Sequence, residues 1–338
     1  MTKQAPRIGL FTGDPTGIGP EIMAKAVVQR KELSNQLITG IGDDRVFRLG
    51  LKTAKLAFKY PVYEDAEKLK SSERNFVFYD LKNMDPNAVT LGQVSPAAGK
   101  AVGDSLKVMV ELALQNTIDA IVYAPINKEA LYRGGHRFKG EIAFFAQLMG
   151  VTEGFGEMNV LGALWTSRVT SHISLADVSK HITRKGVLGA IQLAASTLKR
   201  AGIEDAKIGV AALNPHGGEG GLFGREEVER ITPAVQDAKR SGINVVGPYP
   251  ADTIFLRVSQ ERLNAVVTMY HDQGQIAMKL LGFGKGVTVN AGFPIVITTP
   301  SHGTAFDIAG KGVANPHALE EAVLLAAKMA SWPSSAVC

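Results

Sequence analysis

The feature that most constrains this chain is an alternation. Short β-branched runs recur between longer helical patterns, and the strand ends open onto loops of glycine and polar residues. Arg7–Thr12 reads as a strand, followed by a Gly/Pro turn and a helix from about Pro20, where a missing N–H costs nothing. Ile118–Tyr123 is a second strand, followed by a helix from about Asn127. Lys207–Leu213 and Ala265–Tyr270 are two more, with helices near 184–201 and 225–240. The alternation predicts an α/β fold with a largely parallel sheet. In such sheets ligands collect beyond the carboxyl ends of the strands. The unusual residues of this chain stand there: GDPTGIGP after the first strand, APINK after the second, NPHGGEGG after the third and HDQG after the fourth.

Length and composition narrow the class. At roughly 150 residues per domain, 338 residues suggest about two domains, with boundaries near 140 and 290. A hydrophobic fraction of 45% with 20% charged residues describes a folded soluble protein and excludes disorder over most of the length. The one cysteine is Cys338, so neither an internal disulfide nor a cysteine zinc site can form, and a cytoplasmic setting is expected. The net charge of +5 is dispersed, with no Lys/Arg run and no interleaved aromatic platform, so nucleic acid is not expected as a partner. No apolar stretch reaches the length of a membrane span, and none is expected.

Three histidines stand at strand ends: His172, His216 and His271. Converging imidazoles bind divalent metals such as Zn, Mn, Co or Ni, yet each alone reads as readily as a hydrogen-bonded loop histidine. The glycines of GDPTGIGPE, at 13, 17 and 19, match neither a dinucleotide GxGxxG nor a P-loop. The loop reads either as tight-turn chemistry or as an anion-binding helix start. NPHGGEGG has too many glycines for a simple turn and predicts close approach of backbone to a ligand. Lys279, eight residues after His271, reads as a snorkelling surface lysine or as a pocket cation. Asp252 and Asp272 are carboxylates placed to orient a histidine. No Gly-x-Ser-x-Gly elbow is present, which argues against covalent hydrolase chemistry.

Taken in order, GDPTGIGPE, YAPINKEAL, LNPHGGEGGLFGREE, GPYPADTIF, MYHDQGQIAMK and SHGTAFDIAGKGVANP resemble the 4-hydroxythreonine-4-phosphate dehydrogenase (PdxA-type) family, from about residue 6 to 330. The last motif is also similar to the adenosine-binding loop of isopropylmalate and isocitrate dehydrogenases. The resemblance implies a two-lobed, non-Rossmann α/β/α fold of the isopropylmalate/isocitrate dehydrogenase type. One lobe would be 1–140 plus 290–338, with the NAD adenosine loop; the other would be 141–289, with metal-binding and dimer-forming segments. It implies a homodimer with active sites at the interface and a divalent metal on His172, His216 and His271, the last from the partner subunit. NAD would lie along His302, Gly303, Thr304, Asp307 and Asn315, and Lys279 would bind the anionic substrate.

Departures from the family pattern set the substrate expectation. Where the family has a His-Thr pair, an asparagine and a phosphate-binding arginine, this chain has Glu141, Ile142, Thr288 and Ile297. Loss of an arginine fork removes bidentate phosphate recognition. The chain also resembles the terephthalate cis-dihydrodiol dehydrogenases, which lack that arginine. The expected activity is therefore metal- and NAD-dependent oxidative decarboxylation of a 3-hydroxy acid. The favoured substrate is terephthalate 1,2-cis-dihydrodiol, giving protocatechuate in aromatic catabolism, with Lys279, Asp252 and Asp272 as catalytic residues. The alternatives are 4-hydroxythreonine 4-phosphate itself, an NAD-independent metal hydrolase or aldolase on the same histidines, and a non-catalytic small-ligand sensor.

Overall fold

The computed structural model describes residues 5–138, 140–282 and 284–332, so Cys338 lies outside the described residues. In chain order the strands are β1 (Arg7–Phe11), β2 (Leu37–Gly42), β3 (Val62–Tyr63), β4 (Phe76–Asp80), β5 (Ala120–Tyr123) and β6 (Gly156–Leu161), then β7 (Leu164–Arg168), β8 (Ile208–Ala211), β9 (Val245–Tyr249), β10 (Ala265–Thr268), β11 (Val287–Ala291) and β12 (Val296–Pro300). The chain divides into two compact units. The first is Met1–Thr152 with Phe293–Ser331, and the second takes in Glu153–Gly292.

In the first unit the strand order is β3-β4-β2-β1-β5-β12, and every pairing is parallel. Parallel strands covered on both faces need continuous apolar runs rather than alternation. IGLF (residues 8–11) and AIVY are such runs, and β1 and β5 are buried at every position. Helix Gly19–Gln29 follows β1 with Pro20 in its first turn, as the sequence predicts. Asn127 caps the next predicted helix, Lys128–Arg133, by accepting from Ala130 N at 2.8 Å. The exits of the parallel neighbours β1, β5 and β12 emerge at one end of this sheet.

In the second unit the order is β11-β6-β7-β10-β8-β9. β11, β6 and β7 pair antiparallel, whereas β7, β10, β8 and β9 run parallel. Ala265 of β10 is in register with both Trp165 of β7 and Ile208 of β8. Three successive parallel neighbours must finish at the same end, so the segments after β7, β8 and β10 emerge together. Beneath them Leu164, Ala211, Ile254, Leu263, Val266 and Met278 form a buried cluster, through which helix His271–Gly282 is seated. No helix among the described residues is long and apolar enough to cross a membrane.

Candidate functional site

The three histidines occupy the exits of β7, β8 and β10, each for a local reason. His271 is the first residue of helix His271–Gly282. Asp272 Oδ1 lies 2.7 Å from His271 Nδ1, which leaves Nε2 as the donor atom. Gln273 makes two ties: its Oε1 accepts from Met269 N at 2.7 Å, and its Nε2 donates to Ala212 O at 2.8 Å. The helix start is thereby fastened to the ends of both β10 and β8. Sequence reading treated Gln273 as a motif letter; its role appears only once β8 and β10 are known to be neighbours.

His172 stands four residues beyond β7 with φ at 51°. Its segment is held to β10, since Thr170 N and Oγ1 both donate to Met269 O, at 3.1 and 2.8 Å. The His172 and His271 ring centroids are 5.6 Å apart. His216 sits in a run of left-handed residues, His216 to Gly220. Its side chain is 68% exposed, with Nδ1 3.4 Å from Glu219 Oε1. That loop hangs on Glu227, a buried carboxylate that sequence reading passed over. Glu227 Oε1 accepts from Leu213 N and Asn214 N, both at 2.8 Å, and Oε2 accepts from Asn214 Nδ2 at 2.9 Å. A Cβ on Gly218 would lie 2.7 Å from Glu227 Oε2, so a larger residue there collides with the anchor.

Within one chain the structure therefore brings together His172 and His271, the histidine that the resemblance had assigned to the partner subunit. Among the described residues no three His, Cys, Asp or Glu side chains are grouped to hold a metal ion. Lys279 is exposed two turns along the helix that His271 begins, and Asp252 is exposed in the turn before helix Ile254–Glu261.

The expected NAD residues lie in the first unit, in the segment after β12. Thr304 O accepts from Ile18 N at 3.0 Å, and a Cβ on Gly17 would lie 2.8 Å from Thr304 Cβ, so the GDPTGIGPE glycine permits close packing of the two loops. Around Gly303 a Cβ would meet nothing within 4 Å, which leaves its backbone open. His302 Nδ1 is 3.1 Å from Gly303 O, Asp307 is exposed, and Asn315 Oδ1 accepts from His317 N at 3.0 Å at the start of helix His317–Ser331. The segment is clamped by helix Gly19–Gln29. Glu21 accepts from Gly312 N and Ala314 N at 3.2 and 2.8 Å, while Lys25 Nζ donates to Gly312 O and Ala314 O at 2.9 and 2.8 Å. The two side chains also pair with each other at 2.7 Å. Nearby, Asp14 is wholly buried and accepts from Thr16 N and Oγ1; burial pushes its carboxyl above the usual aspartate value.

The expected substrate residues are dispersed. Glu141 opens helix Glu141–Met149 with its carboxylate 3.4 Å from Lys128 Nζ, so a cation accompanies the acid that replaces a family histidine. Ile142 is half-buried. Thr288 Oγ1 accepts from Asn159 Nδ2 at 3.0 Å. Ile297 is 0% exposed, opposite Ile121 in the β12–β5 pair, and presents no surface to a ligand.

Residues 33–326 match the family described as pyridoxal phosphate biosynthetic protein PdxA. The chain belongs to the PdxA family. A Rhizobium meliloti (strain 1021) relative, provisionally named 4-hydroxythreonine-4-phosphate dehydrogenase 2, is 44% identical over 97% of this chain and 94% of its own length. An Oceanobacillus iheyensis relative, provisionally named D-threonate 4-phosphate dehydrogenase, is 40% identical over 98% of this chain and 99% of its own. The crystal structure of 4-hydroxythreonine-4-phosphate dehydrogenase from Klebsiella pneumoniae superposes with a TM-score of 0.85 at 33% identity, covering 98% of this chain and 99% of that one.

PdxA membership makes the chain a dehydrogenase of the NAD- and metal-dependent kind, which removes the hydrolase, aldolase and sensor alternatives. It also corrects the substrate expectation. The terephthalate 1,2-cis-dihydrodiol dehydrogenase of Burkholderia xenovorans LB400 is more distant, at 29% identity over 96% of this chain and 98% of that one, with a TM-score of 0.67. Terephthalate dihydrodiol as substrate, and a role in aromatic catabolism, do not stand. The physical reason is at Ile297: the side chain is wholly buried opposite Ile121 and presents nothing to a ligand, so the absence of an arginine there does not by itself name a different substrate.

Proposed function

We propose that this chain uses NAD to oxidise the secondary hydroxyl of a 4-phosphorylated, four-carbon hydroxy acid, of which 4-hydroxythreonine 4-phosphate and D-threonate 4-phosphate are the two candidates. The β-keto acid so formed then loses carbon dioxide. The observation that carries the reading is the imidazole pair His172–His271 at 5.6 Å, with Asp272 on His271 Nδ1. Relatives with these substrates in their names match nearly the full length of the chain.

The donor set fits a borderline divalent ion, since neutral imidazoles accept Zn, Co, Ni and Mn. His172 and His271 would hold it from one chain, and His216 would come from a second copy. In support, His216 projects from its loop beside Leu222 and Phe223, 75% and 50% exposed, and helix His271–Gly282 exposes Ile276, Leu280 and Leu281 at 61, 84 and 60%. Apolar exposure on this scale marks a docking face rather than a solvated one. The bound metal supplies Lewis acidity toward the substrate hydroxyl and the carboxylate-derived negative charge. His302, Gly303, Thr304, Asp307 and Asn315 would hold NAD, which would supply the hydride acceptor.

The chain's own residues do the rest. Asp272 fixes the His271 ring through its Nδ1 proton, so the other nitrogen faces the ligand in one tautomer. Lys279 offers a cation to the substrate's anionic groups, and Asp252 a carboxylate that takes or returns a proton during decarboxylation. Glu141 and Ile142 in the first unit, and Thr288 in the second, are the further substrate contacts that the resemblance implies.

The test is NAD reduction by the purified chain with each phosphorylated acid, with and without a chelator. We expect turnover of one of them, lost on chelation and restored by added divalent metal. Absence of turnover with both, in protein that binds metal and NAD, overturns the substrate class.

A further inference from the structure

Behind the two paired histidines, in the second unit, lies a buried polar network. Arg168, at the end of β7, has a side chain only 6% exposed. Burial lowers its pKa, and the neighbouring Glu157 carboxylate opposes that shift. Its guanidinium serves three partners. Nη2 donates to Glu157 Oε2, Nη1 to Asn159 Oδ1 at 2.8 Å, and Nε to Ser171 Oγ at 2.9 Å. Asn159, on β6 and 6% exposed, is the hub. Its Oδ1 also accepts from Gln275 Nε2, and its Nδ2 donates to Thr288 Oγ1 on β11.

The placement of the ends of this network is what matters. Ser171 directly precedes His172, whose left-handed backbone sets the direction of its ring. Gln275 is one helical turn after His271, on the same face of helix His271–Gly282. One fork therefore grips the segment carrying one imidazole, and the amide it holds grips the helix carrying the other. A buried arginine is expensive to desolvate, and a greasy filler would stabilise a sheet face as well or better. The fork offers geometry that a filler lacks: planar donors in fixed directions.

We infer that Arg168 and Asn159 form a positioning device that sets the separation and orientation of His172 and His271, and so the affinity and geometry of the divalent-metal site. The inference rests on the metal reading above. It adds Arg168, Asn159, Ser171 and Gln275 to the residues on which that site depends, and gives Thr288 a place in the network in addition to any contact with substrate.

The experiment titrates the full-length chain with Co²⁺, following affinity by calorimetry and coordination by the visible spectrum. Wild type is compared with Arg168→Lys, Gln275→Met and His172→Ala. Lysine keeps the charge but loses the fork. Gln275→Met removes only the helix tie and leaves the buried ion pair intact, so it serves if Arg168→Lys does not fold. Circular dichroism and NAD binding report on the rest of the molecule. We expect Arg168→Lys and Gln275→Met to weaken Co²⁺ about ten- to a hundredfold, the scale of lost supports behind a metal ligand, and to alter the visible bands while NAD binding is unchanged. A folded Gln275→Met or Arg168→Lys with the wild-type affinity and spectrum overturns the positioning role. If His172→Ala binds Co²⁺ as wild type does, it is the metal reading that fails, and the inference falls with it.

Discussion

The segment after β12 in the first unit and the histidine segments of the second unit are both irregular loops at strand ends, but they are held in opposite ways. In the first, Glu21 and Lys25 reach from a helix and bind backbone atoms, the N–H and C=O groups of Gly312 and Ala314. The clamp acts on the backbone as a neighbouring strand would. In the second, His172, His216 and Glu219 adopt left-handed backbone at φ of 51°, 52° and 44°, which costs L-residues roughly 1–2 kcal/mol each. Anchors such as Glu227, Gln273 and Arg168 grip residues near the histidines in the chain, not the imidazoles themselves. The segment proposed to hold NAD is clamped by its backbone. A loop that presents side chains is bent to aim them and anchored at its flanks.

The largest expected effect is on the first side of this contrast. Lys25→Met leaves the Glu21 carboxylate buried without its cation, and should destabilise the chain by about 3–5 kcal/mol in urea unfolding while weakening NAD binding. A loss below about 1 kcal/mol would mean that the backbone holds itself and the clamp is incidental. On the second side, Asp272→Asn keeps shape but weakens the hold on the His271 ring. Metal affinity should fall about ten- to a hundredfold with little change in unfolding midpoint, whereas an unchanged affinity would assign Asp272 to the surface alone. The smallest effect sharpens the strain argument. Glu219→Gly removes a left-handed L-residue and should raise stability by up to about 1 kcal/mol in a thermal melt; a decrease would show that Glu219 holds His216 rather than burdening the loop.

Much of this was legible in the sequence. RIGLF and AIVY announce buried parallel strands because both faces are covered. Pro20 and Asn127 mark helix starts for reasons confined to one turn. The strand-end loops are also local, and so is the pairing of His271 with Asp272. Where reading failed, the missing information was non-local. Ile297 reads as a lost phosphate contact until β12 is seen to turn it inward against β5, and this misreading led to the wrong substrate. Glu141 reads as a bare departure from the family's His-Thr pair, and only the structure places Lys128 beside it.

The residues themselves determined which segments would be strands and helices, which loops would carry chemistry and which side chains were competent to bind a metal, because periodicity, capping and donor type act within a few residues. Tertiary structure alone decided that β7, β10 and β8 are parallel neighbours, so that His172 meets His271 across 99 positions of chain. It also decided that Glu21 and Lys25 close on a loop almost 300 residues away, and that Arg168 and Asn159 stand behind the histidines. Such contacts depend on strand order and register, and long-range pairings leave no periodic trace in the chain that forms them.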